Sequence, residues 1–295
     1  MTSAQGQATS RGLEIHFDGV VHLYPSPEGD VVALRGVDLD VEEGEEFALL
    51  GPSGSGKSTV LALLAGLQRP SAGRITIGPY EMGKLTNRQL LRLRATEVSL
   101  VLQDPARNLL PYATATQNIE FSQRGAKGRG HRPPWQPPEL LRHLGMGQLA
   151  DRTIATLSGG EQQRVAIASG VASAPRLLLV DEPTSQLDTK SRDQVIDLLH
   201  QINQQLGSTV VSVTHDAAVA AAMPRTVTIR DGRVGAEGRR GEEYAVVGKD
   251  GSVQLPPDVL EMLPPGTLLH VRRHGSGVDL RNPELEHGKE SIGDL

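Results

Sequence analysis

Short apolar runs alternate with longer amphipathic stretches along most of this 295-residue chain. Four of the runs are nearly continuous in Val, Leu and Phe, which is typical of strands buried on both faces. They are Phe47–Leu50, Val98–Leu102, Arg176–Val180 and Thr209–Val213. The stretches between them are long enough to form helices. This alternation predicts a largely parallel α/β sheet between Leu13 and about Gly238.

The two ends of the chain depart from that pattern. Residues 1–12 are polar and are predicted to be disordered, and residues 239–245 are predicted to be a linker. Residues 246–282 predict a small β-rich unit. Residues 246–271 are predicted to form a strand, a turn, a second strand at Ser252–Leu255, a short helix begun by Pro256–Pro257, a turn at Gly266 and a last strand at Leu268–Val271. Residues 283–295 are predicted to be a loose tail.

Composition limits the classes of function. The formal net charge is −5, so no overall basic field favours nucleic acid, and we expect no direct nucleic-acid partner. The absence of cysteine excludes disulfides and thiolate metal sites. The N-terminus has no apolar core of a secretory signal, and no apolar run is long enough to span a bilayer. We therefore expect no direct membrane insertion.

The segment GPSGSGKST lies between the strand ending at Leu50 and a helical pattern. It fits the phosphate-binding loop, in which glycines let backbone N–H groups approach a phosphate closely. Lys57 would supply a positive charge to the β- and γ-phosphates, and the Ser58 hydroxyl would bind Mg²⁺. The predicted nucleotide-binding residues of this loop are Gly51, Pro52, Ser53, Gly54, Ser55, Gly56, Lys57, Ser58 and Thr59.

A second motif, which is acidic, follows the apolar strand that ends at Val180. Asp181 and Glu182 would face the crevice where ligands bind, at the carboxyl end of a parallel strand. Asp181 is suited to holding Mg²⁺, and Glu182 is suited to polarising an attacking water. An acidic loop after a core strand is the alternative, which the upstream phosphate-binding loop disfavours.

A third motif, LSGGEQQR, opens a helix shortly before Asp181. Ser158 offers a hydroxyl, and Gly159 and Gly160 expose N–H groups at a helix N-terminus, while Glu161 completes a capping box with Ser158. With these motifs in this order, the chain resembles the nucleotide-binding subunit of an ATP-binding-cassette (ABC) transporter from about Leu13 to Gly238. In that family, this signature binds the γ-phosphate of ATP held by the opposite subunit.

The resemblance assigns roles to four further residues. Gln103 matches the glutamine that contacts Mg²⁺ and the attacking water, and His215 matches the histidine at the γ-phosphate. Tyr24 matches the aromatic residue that stacks on adenine. Asp188 lies in SQLD, which matches the loop that crosses the dimer interface, with Gln186 where a small residue is more usual.

The resemblance also implies an architecture and partners. It implies a P-loop ATPase with a mainly parallel core, an antiparallel β subdomain and a helical subdomain. It further implies ATP and Mg²⁺ as cofactors, a second copy of the chain, and an integral membrane permease that holds the protein at the cytoplasmic face of the membrane. The alternative is a soluble ABC-type ATPase that acts as a switch or regulator. The chromosome-maintenance branch is disfavoured, because no long heptad pattern separates Lys57 from Ser158.

Residues 83–125 resemble the branch that contains macrolide exporters and lipoprotein-releasing ATPases. The matching positions are Leu85, Thr86, Arg92–Arg94, Gln103, Asn108–Pro111, Thr114, Ala115 and Asn118. The segment QDP at Gln103 is closer to importers.

Residues 246–271 resemble the swapped-hairpin module of bacterial transition-state regulators and antitoxins. The matching positions are Gly251, Val253, Leu255, Pro256, Leu260, Leu263 and Gly266. Residues 242–261 contain five acidic residues and one lysine, which disfavours DNA binding. We expect the unit to support dimerisation or regulation, and the alternative is a small appendage packed on its own cassette.

Overall fold

The chain forms two sheets, a helical layer and a small C-terminal hairpin. The computed structural model describes residues 12–27, 29–239, 242–248, 251–255, 257–264, 266–275 and 277–282. The strands are β1 (Ile15–Tyr24), β2 (Val31–Val41), β3 (Glu46–Leu50), β4 (Ala72–Ile77), β5 (Tyr80–Glu81), β6 (Val98–Val101), β7 (Leu177–Asp181), β8 (Thr209–Thr214), β9 (Arg225–Arg230), β10 (Arg233–Arg239), β11 (Glu242–Ala245), β12 (His270–His274) and β13 (Gly277–Arg281).

The helices lie between these strands in the order expected of an α/β fold. They are α1 (Lys57–Leu64), α2 (Asn87–Thr96), α3 (Ala115–Lys127), α4 (Pro137–His143), α5 (Gly159–Gly170), α6 (Thr189–Leu206), α7 (Ala217–Ala221) and α8 (Pro257–Met262). Among the residues described, no helix combines the length and apolarity needed to cross a bilayer.

The larger sheet has the order β11-β10-β9-β3-β8-β7-β6. Strands β9, β3, β8, β7 and β6 run parallel, so the predicted parallel core is confirmed. The packing of β7 explains why its sequence is continuously apolar. Leu177 and Leu179 belong to one buried cluster, whereas Leu178 and Val180 belong to the other, so both faces of the strand are covered.

The smaller sheet is antiparallel, with the order β2-β1-β4-β5. Its inner face shares a core with β3 and α1, through residues such as Ile15, Phe47 and Leu63. Helices α3 to α6 cover the opposite face of the large sheet around Ile119, Leu140 and Ile167. This division matches the expected antiparallel and helical subdomains.

The structure differs from the expected boundaries at both ends of the cassette. Gly12, which was placed in the disordered N-terminus, accepts a hydrogen bond from Arg176 Nη2 to its carbonyl oxygen (2.8 Å). A Cβ on Gly12 would lie 2.2 Å from the Gly44 nitrogen, so the backbone is packed there. Residues 1–11 of the predicted disordered segment lie outside the described residues.

Much of the predicted linker 239–245 is not a loop. β10 extends to Arg239, and β11 pairs with it antiparallel in the register Arg239↔Glu242 to Ala236↔Ala245. The charged sequence of β11 gave no apolar alternation, because an edge strand of this kind needs no buried face. Residues 240 and 241 lie outside the described residues.

Residues 246–282 contain fewer strand residues at their start than predicted and one additional strand at their end. The first half contains only the bridge Val247↔Val253, followed by the expected helix α8. The second half is a two-stranded antiparallel hairpin of β12 and β13. The predicted tail 283–295 lies outside the described residues.

Candidate functional site

The loops that carry the predicted catalytic residues meet at one edge of the large sheet. The phosphate-binding loop follows β3, Asp181 ends β7 and Glu182 follows it, His215 follows β8, and Gln103 lies just after β6. These four strands are parallel neighbours, so their carboxyl ends lie side by side. This edge is where open α/β sheets bind their ligands.

Glycine is required in the phosphate-binding loop at specific points. Gly56, which precedes α1, has φ 106° and Gly54 has φ 80°, in the region that disfavours other residues. A Cβ on Gly51 would lie 2.2 Å from the carbonyl oxygen of Ile229. The Ser55 carbonyl accepts a hydrogen bond from the amide of Gly232 (3.1 Å). The turn between β9 and β10 therefore packs directly under the loop.

Lys57 is buried, with only 7% of its surface exposed. Its Nζ donates to the carbonyl oxygens of Gly51 (2.7 Å) and Pro52 (2.9 Å), which holds the ammonium across the loop. Burial lowers the pKa of Lys57, and the nearby carboxylates of Glu182 and Asp181 act in the opposite direction. Ser58, the next residue, is exposed.

Glu182 and His215 form a pair at the same edge. His215 Nδ1 lies 2.8 Å from Glu182 Oε1, and the Glu182 amide donates to the Val213 carbonyl (2.9 Å). Glu182 has φ 46°, a left-handed backbone that costs a non-glycine residue about 1–3 kcal/mol. The strained backbone and the histidine together fix the direction of the carboxylate.

Asp181 differs from Glu182 in its electrostatics. Burial raises the pKa of Asp181, and the adjacent Glu182 raises it further, while Lys57 and Arg107 lower it. Two partly buried carboxylates at adjacent positions favour a cation between them and the ligand.

Gln103 and Tyr24 are each held by hydrogen bonds between side chains. Gln103 Nε2 donates to Ser185 Oγ (3.1 Å), which links the loop after β6 to the loop after β7. Tyr24 ends β1, and its hydroxyl donates to Gln68 Oε1 (2.9 Å) and lies 3.2 Å from Thr59 Oγ1. The tyrosine ring is thus tied to α1, directly beside the phosphate-binding loop.

The signature residues lie at the exposed start of α5 and make their hydrogen bonds locally. The Glu161 amide donates to Ser158 Oγ (3.3 Å), and the Ser158 amide donates to Glu161 Oε2 (2.8 Å), which completes the predicted capping box. The Ser158 amide and, second, the Ser158 hydroxyl (2.9 Å) both donate to the Glu161 carboxylate, and these two hydrogen bonds lower the pKa of Glu161. Ser158 and Gly159 are exposed.

Asp188 caps the neighbouring helix α6. Its carboxylate accepts hydrogen bonds from the Ser191 amide (2.9 Å) and the Ser191 hydroxyl (3.0 Å), which lower the pKa of Asp188. A Cβ on Gly160 would lie 2.6 Å from Ser191 Oγ, so only glycine lets α5 approach α6 this closely. Ser191 therefore joins the signature to the SQLD loop.

The sequence analysis did not assign a role to three residues of the site. Arg107 acts on Asp181, Ser185 accepts from Gln103, and Ser191 joins Asp188 to Gly160. Ser185 lies within the quoted SQLD motif. Ser191 lies three residues after Asp188, which is the spacing of a helix cap. For Arg107 the sequence carries no comparable signal.

The donor atoms at this edge suit ATP with Mg²⁺. Ser58 and Asp181 offer the hard oxygen ligands that Mg²⁺ prefers, and the pKa of Asp181 is raised by burial and by the neighbouring carboxylate of Glu182, in spite of Lys57 and Arg107. Within the described residues, no cluster of three or more His, Cys, Asp and Glu side chains could hold a metal alone.

Comparison with known proteins gives the family. Residues 34–185 match the family model described as ABC transporter. The chain is 44% identical over 225 residues to the lipoprotein-releasing system ATP-binding protein LolD of Anaeromyxobacter dehalogenans, covering 76% of this chain and 93% of that protein. It is 37% identical over 246 residues to the macrolide export ATP-binding/permease protein MacB of Rhodopseudomonas palustris, covering 83% of this chain but 37% of that protein.

Solved structures of similar fold point to the same family. The dimeric structure of MJ0796, a bacterial ABC transporter cassette, matches with a TM-score of 0.67 and 34% identity over 76% of this chain and 98% of that one. A dimeric post-hydrolysis state of MJ0796 bound to ADP and Pi matches with a TM-score of 0.65 and 35% identity, over the same shares of the two chains. The chain belongs to the ABC transporter family and is one of its ATP-binding, ATP-hydrolysing cassettes.

Proposed function

We propose that two copies of the chain enclose two ATP molecules and thereby drive a separate membrane permease. Each ATP lies between Lys57 and Ser58 of one copy and Ser158–Gly160 of the other. Support comes from the exposure of the signature, since Ser158 and Gly159 are exposed at a helix N-terminus. The γ-phosphate is then a ligand shared by both copies, so its hydrolysis releases the closed state.

The observation that carries the catalytic role is the Glu182–His215 pair, 2.8 Å apart. Glu182 takes a proton from the attacking water or orients it, and His215 holds the carboxylate in place and contacts the γ-phosphate. Lys57 exchanges its loop carbonyls for phosphate oxygens, which requires only rotation of its flexible side chain. Gln103 reports on the state of the site, since it hydrogen bonds to the loop that follows Glu182.

We propose Mg²⁺ as the metal cofactor, held by Ser58 and Asp181 with Gln103 at the side of the water. When bound, the ion neutralises charge on the transferred phosphate. Tyr24 stacks on adenine, and Thr59 and Gln68 fix the position of its hydroxyl. Glu161 and Asp188 complete the nucleotide contacts at the dimer interface by holding the two helix starts in place.

The permease binds at a groove between α2, α3 and α5 in this proposal. A cavity of about 270 Å³ opens there, lined by Ala95, Gly125 and Asn108 among others. Asn108 Oδ1 accepts from the Leu102 amide (2.9 Å), so the groove adjoins Gln103 directly. Leu91 and Phe121 are exposed on the helices that form the groove, and Tyr112 is exposed nearby. Such apolar exposure beside the switch residue suits a protein partner.

The branch follows from residues 83–125 and from the similarity to LolD and MacB. The partner is therefore a permease of the lipoprotein-releasing or macrolide-exporter type, which would hold the protein at the cytoplasmic face of the membrane. The competing role is that of a soluble switch.

Two measurements test this function. Sedimentation with and without ATP is expected to show an ATP-dependent dimer of Glu182→Gln, and a monomer at saturating ATP would contradict the sandwich. Phe121→Asp is expected to abolish co-purification with a co-expressed permease that the wild-type protein retains, while leaving basal ATP hydrolysis intact. The matched change Glu120→Ala, one position along the same helix and on an exposed residue, serves as the control. If wild-type protein binds no permease, the soluble switch is favoured.

A further inference from the structure

The strand that ends at Tyr24 carries a buried histidine two residues earlier. His22 lies in β1 and is 7% exposed, whereas Tyr24 is partly exposed. Their ring centroids are 4.8 Å apart, and the planes of the two rings meet at 83°. A perpendicular arrangement at this distance is one of the two that aromatic pairs favour. His22 is therefore in direct contact with the residue that is proposed to stack on adenine.

The opposite end of Tyr24 is held by hydrogen bonds. Its hydroxyl donates to Gln68 Oε1 (2.9 Å) and lies 3.2 Å from Thr59 Oγ1. Thr59 is buried and is the last residue of the phosphate-binding loop motif, so these contacts tie the phenol oxygen to the phosphate site. They do not fix the plane of the ring. Rotation about the long axis of a tyrosine leaves its oxygen in place, and the torsion that controls this rotation has broad energy wells.

The plane of the tyrosine ring is the property that stacking on a base requires. Among the residues that the structure describes, the ring pairs are His22 with Tyr24 and Trp135 with His143, so no second ring packs on Tyr24. The contact with His22 is thus the ring contact that restricts rotation of Tyr24.

Stability alone does not explain a histidine at this position. Its Nδ1 is buried and has no hydrogen-bond partner among the described residues. Burying a polar atom without a partner destabilises a fold, and an aliphatic side chain in this strand would avoid that cost. A buried polar group without a partner in a native fold calls for a reason. The imidazole provides what an aliphatic side chain does not, which is a small flat ring against Tyr24.

We propose that His22 is a positioning residue for the nucleotide base, which sets the plane of Tyr24 so that the tyrosine ring meets adenine face to face. The inference rests on the proposed stacking of Tyr24 on adenine and adds the residue that prepares it. With His22 at the ring and Gln68 and Thr59 at the hydroxyl, Tyr24 is preorganised before ATP binds. Preorganised contacts raise affinity because less conformational freedom is lost on binding. His22 therefore contributes to the binding of ATP and not to the cleavage of its γ-phosphate.

The test is the steady-state rate of ATP hydrolysis by the full-length chain at varied ATP concentration. We expect His22→Val to raise the KM for ATP by about three- to tenfold, as loss of an aromatic pair does, and to leave kcat unchanged. His22→Phe keeps a ring against Tyr24 and is expected to retain the wild-type KM. An unchanged KM in His22→Val, a reduced kcat, or a KM in His22→Phe as high as that of the valine variant would overturn the proposal.

The matched control is Val20→Ala, which removes a fully buried side chain two residues earlier in the same strand. We expect this variant to lose stability in thermal unfolding while its KM for ATP stays at the wild-type value. A KM raised as much in Val20→Ala as in His22→Val would show that general damage to β1, and not the ring contact, weakens ATP binding, and the proposal would fail.

Tyr24→Ala separates this proposal from the function on which it rests. We expect its KM to rise at least as far as that of His22→Val, and the double variant to match Tyr24→Ala, because His22 acts only through the tyrosine. An unchanged KM in Tyr24→Ala would remove adenine stacking and the role of His22 together. A raised KM in Tyr24→Ala with an unchanged KM in His22→Val would remove the role of His22 alone.

NMR of the wild-type chain covers the case in which His22→Val does not fold. The ring-proton signals of His22 are identified by their absence from the spectrum of His22→Phe. We expect them to shift when ATP is added and to stay in place with inorganic tripolyphosphate, which has no base. Signals that respond to neither ligand, or equally to both, would mean that His22 does not report on the base and would contradict the proposal.

Discussion

The two halves of the ATP site differ in how they are built. The phosphate-binding half is buried and internally bonded, with Lys57 held by two carbonyls of its own loop. The signature half is exposed, and Ser158 bonds only within its capping box in the contacts described above. One half is preformed to receive a phosphate, whereas the other presents donors outward. This difference explains why a single copy would hold ATP and why a second copy would be needed to enclose it.

The electrostatics of the two halves are also opposite. In the phosphate-binding half, burial moves the pKa of Lys57 down and that of Asp181 up, so each group is pushed toward its neutral form. In the signature half, hydrogen bonds to the caps move the pKa values of Glu161 and Asp188 down, toward the charged form. Burial that neighbouring charges offset only in part is typical of a site that binds a charged ligand, while the carboxylates of the caps are already hydrogen bonded.

The largest effect is expected from Lys57→Ala. Removing the buried ammonium removes a cation that acts on both Asp181 and Glu182, and it removes the charge for the β- and γ-phosphates. We expect ATP turnover to fall by about a hundredfold or more. The check is to measure nucleotide binding and the rate of phosphate release for the variant and the wild-type protein. Wild-type activity in this variant would show that the buried half is not where the phosphates bind.

Glu182→Gln is expected to separate binding from chemistry. The amide keeps the size of the side chain and can still meet His215, but it cannot accept a proton. Loss of a general base lowers turnover by about 10²–10⁴-fold, while ATP affinity is retained. Single-turnover hydrolysis and equilibrium binding measured on the same preparation check both parts. Unchanged turnover would remove Glu182 from the catalytic role.

Ser158→Ala addresses the exposed half. It removes a helix cap, which costs about 1 kcal/mol of stability, and it also removes a proposed contact to the partner's ATP. We expect ATP binding by the monomer to persist and ATP-dependent dimerisation to weaken. Thr86→Ala is the matched control, because Thr86 forms the same capping box with Gln89 at the start of α2. If both variants dimerise equally well, the signature acts only as a cap.

The sequence predicted the preformed half well, for a physical reason. Strand β3, the loop from Gly51 to Thr59 and α1 are contiguous in the chain, so local spacing contains most of the geometry. The support from Ile229 and Gly232 could not be read in this way, because it comes from a turn about 180 residues downstream. The same applies to Arg107, whose effect on Asp181 depends on tertiary placement.

The C-terminal unit was the least predictable region. β11 is an edge strand with charged residues, so its pairing with β10 left no apolar alternation to detect. The expected strand at Ser252–Leu255 is reduced to one bridge, between Val253 and Val247. β13 was missed as a separate strand, although Val278 and Leu280 alternate with polar neighbours. Short strands without a buried face carry little sequence signal.

The smallest effect concerns the charge of the signature cap. Glu161→Gln keeps an acceptor for the Ser158 amide, as Gln89 does for Thr86, but it loses the negative charge at the start of α5. The pKa of Glu161 is lowered from 4.5, so its charge stabilises the fold above that value, and this contribution is lost as the pH falls through the lowered folded-state pKa. We expect Glu161→Gln to be less stable by a few tenths of a kcal/mol, about the value of an exposed charge at a helix end, near neutral pH. Urea unfolding of the wild-type protein and the variant, from neutral pH to below the pKa of Glu161, should show that the difference in their free energies of unfolding shrinks on acidification. A difference that stayed constant with pH would mean that the hydrogen-bond geometry of the cap, and not its charge, is what stabilises the exposed half.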